Sequence, residues 1–202
     1  MSRAEREEQM LDVAEEVFAD LGYQGVSMDE IAERCGVSKP MLYEYFGSKN
    51  GLLQAVIARA RDQLYEVTSA AMAGGADPYD VLSRGMLAYF TFMDDHRRAA
   101  AVRLQEPVVL SATAHEIEAT RRRQSALIAP ILAGFAPEAP ETAIDAYAEI
   151  IIGGCERLML WRAGRPEVTA AQAAQYMTDF TWHGLGPYVG VVPAARPSVG
   201  QA

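Results

Sequence analysis

Between Met28 and Phe46 the chain reads Met-Asp-Glu-Ile-Ala-Glu-Arg-Cys-Gly-Val-Ser-Lys-Pro-Met-Leu-Tyr-Glu-Tyr-Phe, and few backbone geometries accept residues in that order. Ser27-Met-Asp-Glu30 is a capping-box pattern that opens a short helix. Gly36 supplies the positive φ of a sharp turn, and Ser38 opens a second short helix. Pro40 falls in that helix's first turn, where a missing N–H carries no penalty. Ala32 is small where the two helices must cross, and Ile31, Cys35, Val37 and Leu42 form the apolar wedge between them. The segment predicts a helix-turn-helix whose second helix stands proud of its support.

The rest of the chain carries helical spacing in segment after segment and almost no strand signal, so the fold class is all-α, with about nine helices. A first helix is expected over Ala4–Leu21, ended by Gly22, with Met10, Leu11, Ala14, Val17, Phe18 and Leu21 inward and Glu7, Glu8, Asp12, Glu15 and Glu16 outward. Gly47 stops the third helix, and Ser48 caps a fourth running to Ala73. Asp77-Pro78 starts a fifth that ends near Asp95, and a short segment covers Arg97–Gln105. Helices over Ser111–Ala133 and from Pro140 to Ala163 follow, and Thr169-Ala-Ala-Gln172 caps a last one reaching Gly184. From Gly186 the sequence loses periodicity and reads as irregular. The expected organisation is a helix-turn-helix domain over residues 1–50, a helical domain over 51–188 and a tail over 189–202.

In a helix-turn-helix the N-terminal residues of the second helix enter the major groove of DNA. Lys39, Pro40 and Met41 then face base edges, Lys39 as a donor to guanine and the other two as apolar contacts to thymine methyls. Tyr43 and Tyr45 suit phosphate oxygens, although aromatic pairs such as Tyr45-Phe46 also serve as core. Ser48 and Lys49 set a helix N-terminus and a cation beside the duplex backbone. Charge argues the other way. The chain carries a net charge of −9, and residues 1–60 hold six Lys/Arg against eleven Asp/Glu, so attraction to DNA has to rest on local placement. Arg3 and Arg6 form either a minor-groove arm or a solvated charged end.

These residues carry a family resemblance. The stretches Ala14-Glu-Glu-Val-Phe-Ala-Asp-Leu-Gly-Tyr23, Ser27-Met-Asp-Glu-Ile-Ala-Glu33, Gly36-Val-Ser-Lys-Pro-Met-Leu-Tyr-Glu-Tyr-Phe46 and Ser48-Lys49 resemble the TetR/AcrR family of bacterial one-component transcription regulators. Pro40-Met41 replaces a commoner Gly-Thr pair and Gly47 a frequent proline. The resemblance implies an N-terminal three-helix DNA-binding domain with Ser27, Ser38, Lys39, Pro40, Met41, Tyr43, Tyr45, Ser48 and Lys49 at the duplex. It also implies a C-terminal domain that dimerises through its last two helices and senses a small molecule. Ile150, Gly153, Gly154, Arg157 and Trp161 lie on neighbouring faces of one of those helices, and Tyr176, Phe180 and Trp182 offer large anchors on the other. Met86, Tyr89, Phe90, Met93, Ile117, Tyr147 and Ile151 are adaptable apolar groups suited either to an effector pocket or to plain core. Tyr89-Phe-Thr-Phe-Met93 and Asp179-Phe-Thr-Trp-His-Gly-Leu185 look similar to members governing lipid metabolism, which favours a fatty or acyl-type effector that releases a repressor from its operator. Arg121-Arg122-Arg123 suits an anionic head group or a solvated face.

Other classes fare worse. His96, His115 and His183 are scattered, and the chain has no Cys-x-x-Cys, Gly-x-Ser-x-Gly or phosphate-loop motif, so neither an enzyme nor a metal or cofactor site is expected. Cys35 and Cys155 sit in apolar helical patterns and read as buried thiols. No apolar run approaches the ~18–20 residues that span a bilayer, so a cytoplasmic protein with no membrane partner is expected. The rival to a DNA-binding regulator is a helical dimeric interaction module that has lost DNA binding, a reading supported by the acidic charge.

Overall fold

The computed structural model describes the backbone of residues 1–96 and 107–189, and the side chains of 1–96 and 121–184. Among the described residues there are eight helices and no strand. They are α1 (Arg3–Gly25), α2 (Met28–Cys35), α3 (Lys39–Phe46), α4 (Lys49–Ala73), α5 (Pro78–Asp95), α6 (Pro107–Phe135), α7 (Glu141–Arg162) and α8 (Ala170–Val189). The short helix expected over Arg97–Gln105 lies outside the described residues. No described helix is long and apolar enough to cross a membrane.

Several boundaries differ from the sequence reading, each for a physical reason. The first helix starts one residue earlier because Ser2 and Glu5 form a reciprocal capping box. Gly22 adopts φ 70° and ψ 166°, a kink followed by one further turn to Gly25. The sixth helix is described from Pro107, four residues ahead of the expected Ser111, and proline suits a first helical position. The last helix passes through Gly184, Gly186 and Pro187 to Val189, which corrects the irregular tail expected from Gly186. Gly184 lies against the Tyr147 ring, so this helix is packed at the point where its sequence reads as a stop.

The chain divides into two compact units: Met1–Val67 with Thr91–Thr120, and Thr68–Phe90 with Arg121–Ala202. In the first, Met10, Ala14, Val17 and Phe18 of α1 share a core with Ile31, Ala32 and Cys35 of α2, Leu42 of α3 and Leu52, Leu53 and Val56 of α4. Arg59 of α4 ties that bundle together from its edge. Its guanidinium lies 2.6 Å from Asp12, 2.7 Å from Glu15 and 3.2 Å from Glu8, so three of the five acidic residues of α1 read as solvent-facing are bound to α4. Burial opposes the charge on Arg59, but the hydrogen bonds it donates to Glu15, Asp12 and Glu8 outweigh that and raise its pKa.

In the second unit, Met86 and Phe90 of α5 pack with Leu132 of α6, Ile144, Ala148, Ile151 and Cys155 of α7, and Ala173, Ala174 and Met177 of α8. Asp77 caps α5 by accepting from the Asp80 N–H at 2.9 Å. Thr169 and Gln172 form both bonds of the expected capping box, at 2.9 and 3.2 Å. Both cysteines are free and buried. Burial raises the Cys35 thiol pKa, and burial followed by the charge of Glu156 pushes Cys155 up to about 12, so both stay protonated and inert at neutral pH.

Candidate nucleic-acid interface

Local capping sets the presentation of α3. Ser27 accepts from the Glu30 N–H at 3.1 Å, while the Glu30 carboxylate pairs with Arg34 at 3.0 Å. Gly36 takes φ 65° and ψ 30°, the left-handed conformation that the turn requires. Ser38 then accepts from the Met41 N–H at 3.3 Å, and Gly47 (φ 70°) closes α3 through an N–H bond to the Tyr43 carbonyl at 2.8 Å. Ser48 accepts from the Gly51 N–H at 3.0 Å. Ser27, Ser38 and Ser48 are all exposed, and a hydroxyl that accepts a backbone N–H keeps its own O–H to donate.

Leu42 is the single fully buried residue of α3 and anchors it, with Tyr45 and Phe46 half-buried against the same core. Lys39, Pro40, Tyr43 and Glu44 are exposed on the other side, and Met41 is half-buried at the edge with its sulfur 4.0 Å from the Arg6 guanidinium. Arg3 stacks 4.6 Å from the Tyr45 ring centroid and lies 4.0 Å from Glu44. Arg3 and Arg6 therefore belong to α1 and rest against α3, a placement for which the sequence offered an arm or a free end. Lys39 donates to Asp29 at 2.8 Å, and that hydrogen bond raises its pKa. Lys49, expected at the duplex backbone, turns inward: its ammonium donates to the Val26 carbonyl at 2.6 Å and sits 4.4 Å from the Tyr23 ring. Lys49→Met should therefore lower stability by about 1.5–3 kcal/mol, as for a hydrogen bond from a charged group, and leave the salt slope of DNA binding unchanged. Thermal denaturation and a salt titration check both halves.

Family models match two stretches of the chain. Residues 10–56 match the model described as bacterial regulatory proteins of the tetR family, and residues 78–184 match a tetracyclin repressor-like C-terminal domain. The chain belongs to the TetR family. Among solved structures, this TetR-family chain is 31% identical to a TetR-like transcriptional regulator from Rhodococcus sp. RHA1, covering 92% of this chain and 98% of that one with a TM-score of 0.71. A TetR-family regulator from Streptomyces coelicolor shares the fold at a TM-score of 0.75 and 24% identity, covering 94% and 89% of the two chains. The HTH-type transcriptional activator FasR of Mycolicibacterium smegmatis is 43% identical over 94 residues, 46% of this chain and 43% of that protein. The HTH-type transcriptional repressor KstR2 of the same species is 22% identical over 198 residues, 98% of this chain and 86% of that protein. The matched stretch spans less than half the length of several of the curated relatives, 43% of FasR and 40% of the repressor KstR.

The remaining residues singled out in the sequence fall on both faces of the C-terminal helices. Ile150, Arg157 and Trp161 of α7 are exposed, as are Tyr176 and Phe180 of α8, the last two at 52% and 67%. Gly153 faces open space, whereas Gly154 is occupied by Met177 of the same chain. Trp182 stacks edge-on against Tyr79 at 5.4 Å. Met86, Phe90, Met93 and Ile151 are buried, Tyr89 and Tyr147 half-buried, and the Ile117 side chain lies outside the described residues. Arg121 pairs with Glu156 at 2.7 Å. Sequence reasoning missed the buried hydroxyls of Thr178 and Thr181, neither of which has a hydrogen-bond partner among the described residues. No apolar-periodicity signal separates such threonines from their apolar neighbours.

Proposed function

We propose that the protein is a ligand-responsive transcription regulator that binds double-stranded operator DNA as a homodimer and is released by a lipophilic, fatty or acyl-type effector. The observation that carries this reading is α3 itself: capped at both ends and anchored by Leu42, it offers Lys39, Pro40 and Tyr43 outward from a rigid base. Ser27, Ser38, Tyr45 and Ser48 flank it. The domain boundaries that follow are DNA binding over residues 1–50 and effector binding with dimerisation over 51–188.

Two copies are needed because reading successive major grooves takes recognition helices about 34–36 Å apart. Ile150, Gly153, Arg157 and Trp161 recur along one stripe of α7, and Tyr176 and Phe180 along one stripe of α8. Exposed aromatic groups of that size are anchors that a second copy would cover. The effector would bind among Met86, Tyr89, Phe90, Tyr147 and Ile151, with Thr178 or Thr181 as hydrogen-bond donors to its polar end. Release is then a population shift toward a form whose recognition helices no longer match the groove spacing.

Selection from a pool of random duplexes, followed by retention and native mass measurements, tests the reading. A dimer that enriches one palindromic sequence and loses affinity as salt rises is expected; no retention at low salt would favour the interaction module. Phe180→Asp should yield monomers and cut operator affinity about a hundredfold, the scale of lost bivalency. Thr178→Val should stabilise the effector-free protein by about 1 kcal/mol, by removing a buried hydroxyl without a partner. A rise of about 2–4 °C in melting temperature checks it.

A further inference from the structure

On the surface assigned to DNA, the cations are already engaged. Lys39 of α3 is bonded to Asp29 of α2 at 2.8 Å, and Arg3 of α1 lies 4.0 Å from Glu44 of α3. Asp29, Arg3 and Glu44 are each 69% exposed, so water screens both pairs, and exposed pairs of this kind add little to stability. Stabilisation therefore does not account for two carboxylates on the one surface that must approach a polyanion. Spacing places Lys39, Pro40, Tyr43 and Glu44 together on the side of α3 away from buried Leu42.

We propose that Asp29 and Glu44 are specificity-determining residues that suppress binding to arbitrary DNA and favour a sequence offering donors and acceptors at matching positions. The inference rests on the reading of α3 as the recognition helix. Non-specific binding is the sum of phosphate contacts, and a cation held by a carboxylate contributes less to it. At an operator the requirements differ. The Lys39 ammonium has three N–H donors and gives one to Asp29, so a flexible side chain is aimed while two donors stay available for guanine O6 and N7. Glu44 can accept from the exocyclic amine of cytosine, and a base without a donor leaves that carboxylate desolvated and unsatisfied.

The test compares Asp29→Asn, Glu44→Gln and the double variant with the parent, on random duplex and on the sequence the parent enriches. Glu16→Gln is the charge control: it removes one exposed carboxylate of α1 about 20 Å along the helix from Arg3. Each test variant should bind random duplex about threefold to tenfold more tightly, and Asp29→Asn should steepen the salt slope by about 0.9 as Lys39 is freed to neutralise a phosphate. The ratio of operator to random affinity should fall at least about tenfold, and Glu44→Gln should lose a cytosine preference at one position in each half-site. An unchanged ratio, or the same change in Glu16→Gln, overturns the inference while leaving the recognition helix standing. A parent protein that enriches no sequence and is not retained at low salt overturns both.

Discussion

Arg59→Met should cost the protein about 2–4 kcal/mol, seen as a fall of about 5–10 °C in melting temperature. The Arg59 side chain is 10% exposed and binds three carboxylates and the Glu8 carbonyl of α1. Glu8, Asp12 and Glu15 stand at i, i+4 and i+7, so they share one face and repel each other once the cation is gone. Most of the loss should come from Glu15, which is 17% exposed, because Glu8 and Asp12 remain largely in water. A double-mutant cycle isolates this term: Glu15→Gln added to Arg59→Met should cost far less than Glu15→Gln alone. A loss below about 1 kcal/mol for Arg59→Met would mean that apolar packing alone joins α1 to α4.

The same contact explains what could and could not be read from the sequence. The inward stripe of α1 was legible because Met10, Ala14, Val17 and Phe18 repeat at helical spacing, and burial follows that period until Leu21, which is 43% exposed just before the kink at Gly22. The helix-turn-helix was legible for a stronger reason: Gly36, Pro40 and the capping serines each have few alternative uses, and all point to the same geometry. The partner of an acidic stripe is different in kind. Glu8, Asp12 and Glu15 look like any solvated helix face, and Arg59 is one of two neighbouring arginines more than forty residues away, so only the fold brings them together.

Lys49 and Gly154 make the same point at the candidate sites. Both occupy positions where the sequence allows an outward role, and in both cases a neighbour in the same chain takes up the residue, Val26 for the lysine and Met177 for the glycine. The charge objection also changes character with structure. The acidic excess of residues 1–60 is not spread evenly over α3, because three of its carboxylates are drawn to Arg59 and two more are matched against Lys39 and Arg3. What reaches the outward face of α3 is close to neutral. Attraction to a duplex then depends on hydroxyls, helix N-termini and a few aimed donors more than on bulk charge.

Gly51→Ala should destabilise the protein by about 1–3 kcal/mol, opposite in sign to the ordinary effect of replacing a helical glycine. Alanine normally gains about 1 kcal/mol in a helix because glycine loses more backbone freedom on folding. Here the turn from α3 to α4 is closed by Gly47 at φ 70°, by the Ser48 N–H donating to the Phe46 carbonyl at 2.8 Å, and by the Gly51 N–H donating to Ser48 at 3.0 Å. That geometry points the Phe46 carbonyl oxygen into the space a Gly51 Cβ would fill, with Phe46 C at 3.2 Å and Ser48 Oγ at 3.4 Å beside it. Two of the three obstructing atoms are backbone, so no rotamer change relieves the overlap and the turn itself must open. Opening it shifts α3, and operator affinity should fall along with stability. The neighbouring Asn50→Ala is the control: Asn50 is exposed in the same helix, so that substitution should gain a few tenths of a kcal/mol and leave DNA binding intact. A higher melting temperature for Gly51→Ala than for the parent would show that the α3–α4 turn tolerates a side chain and that the fixed presentation of α3 has some other source.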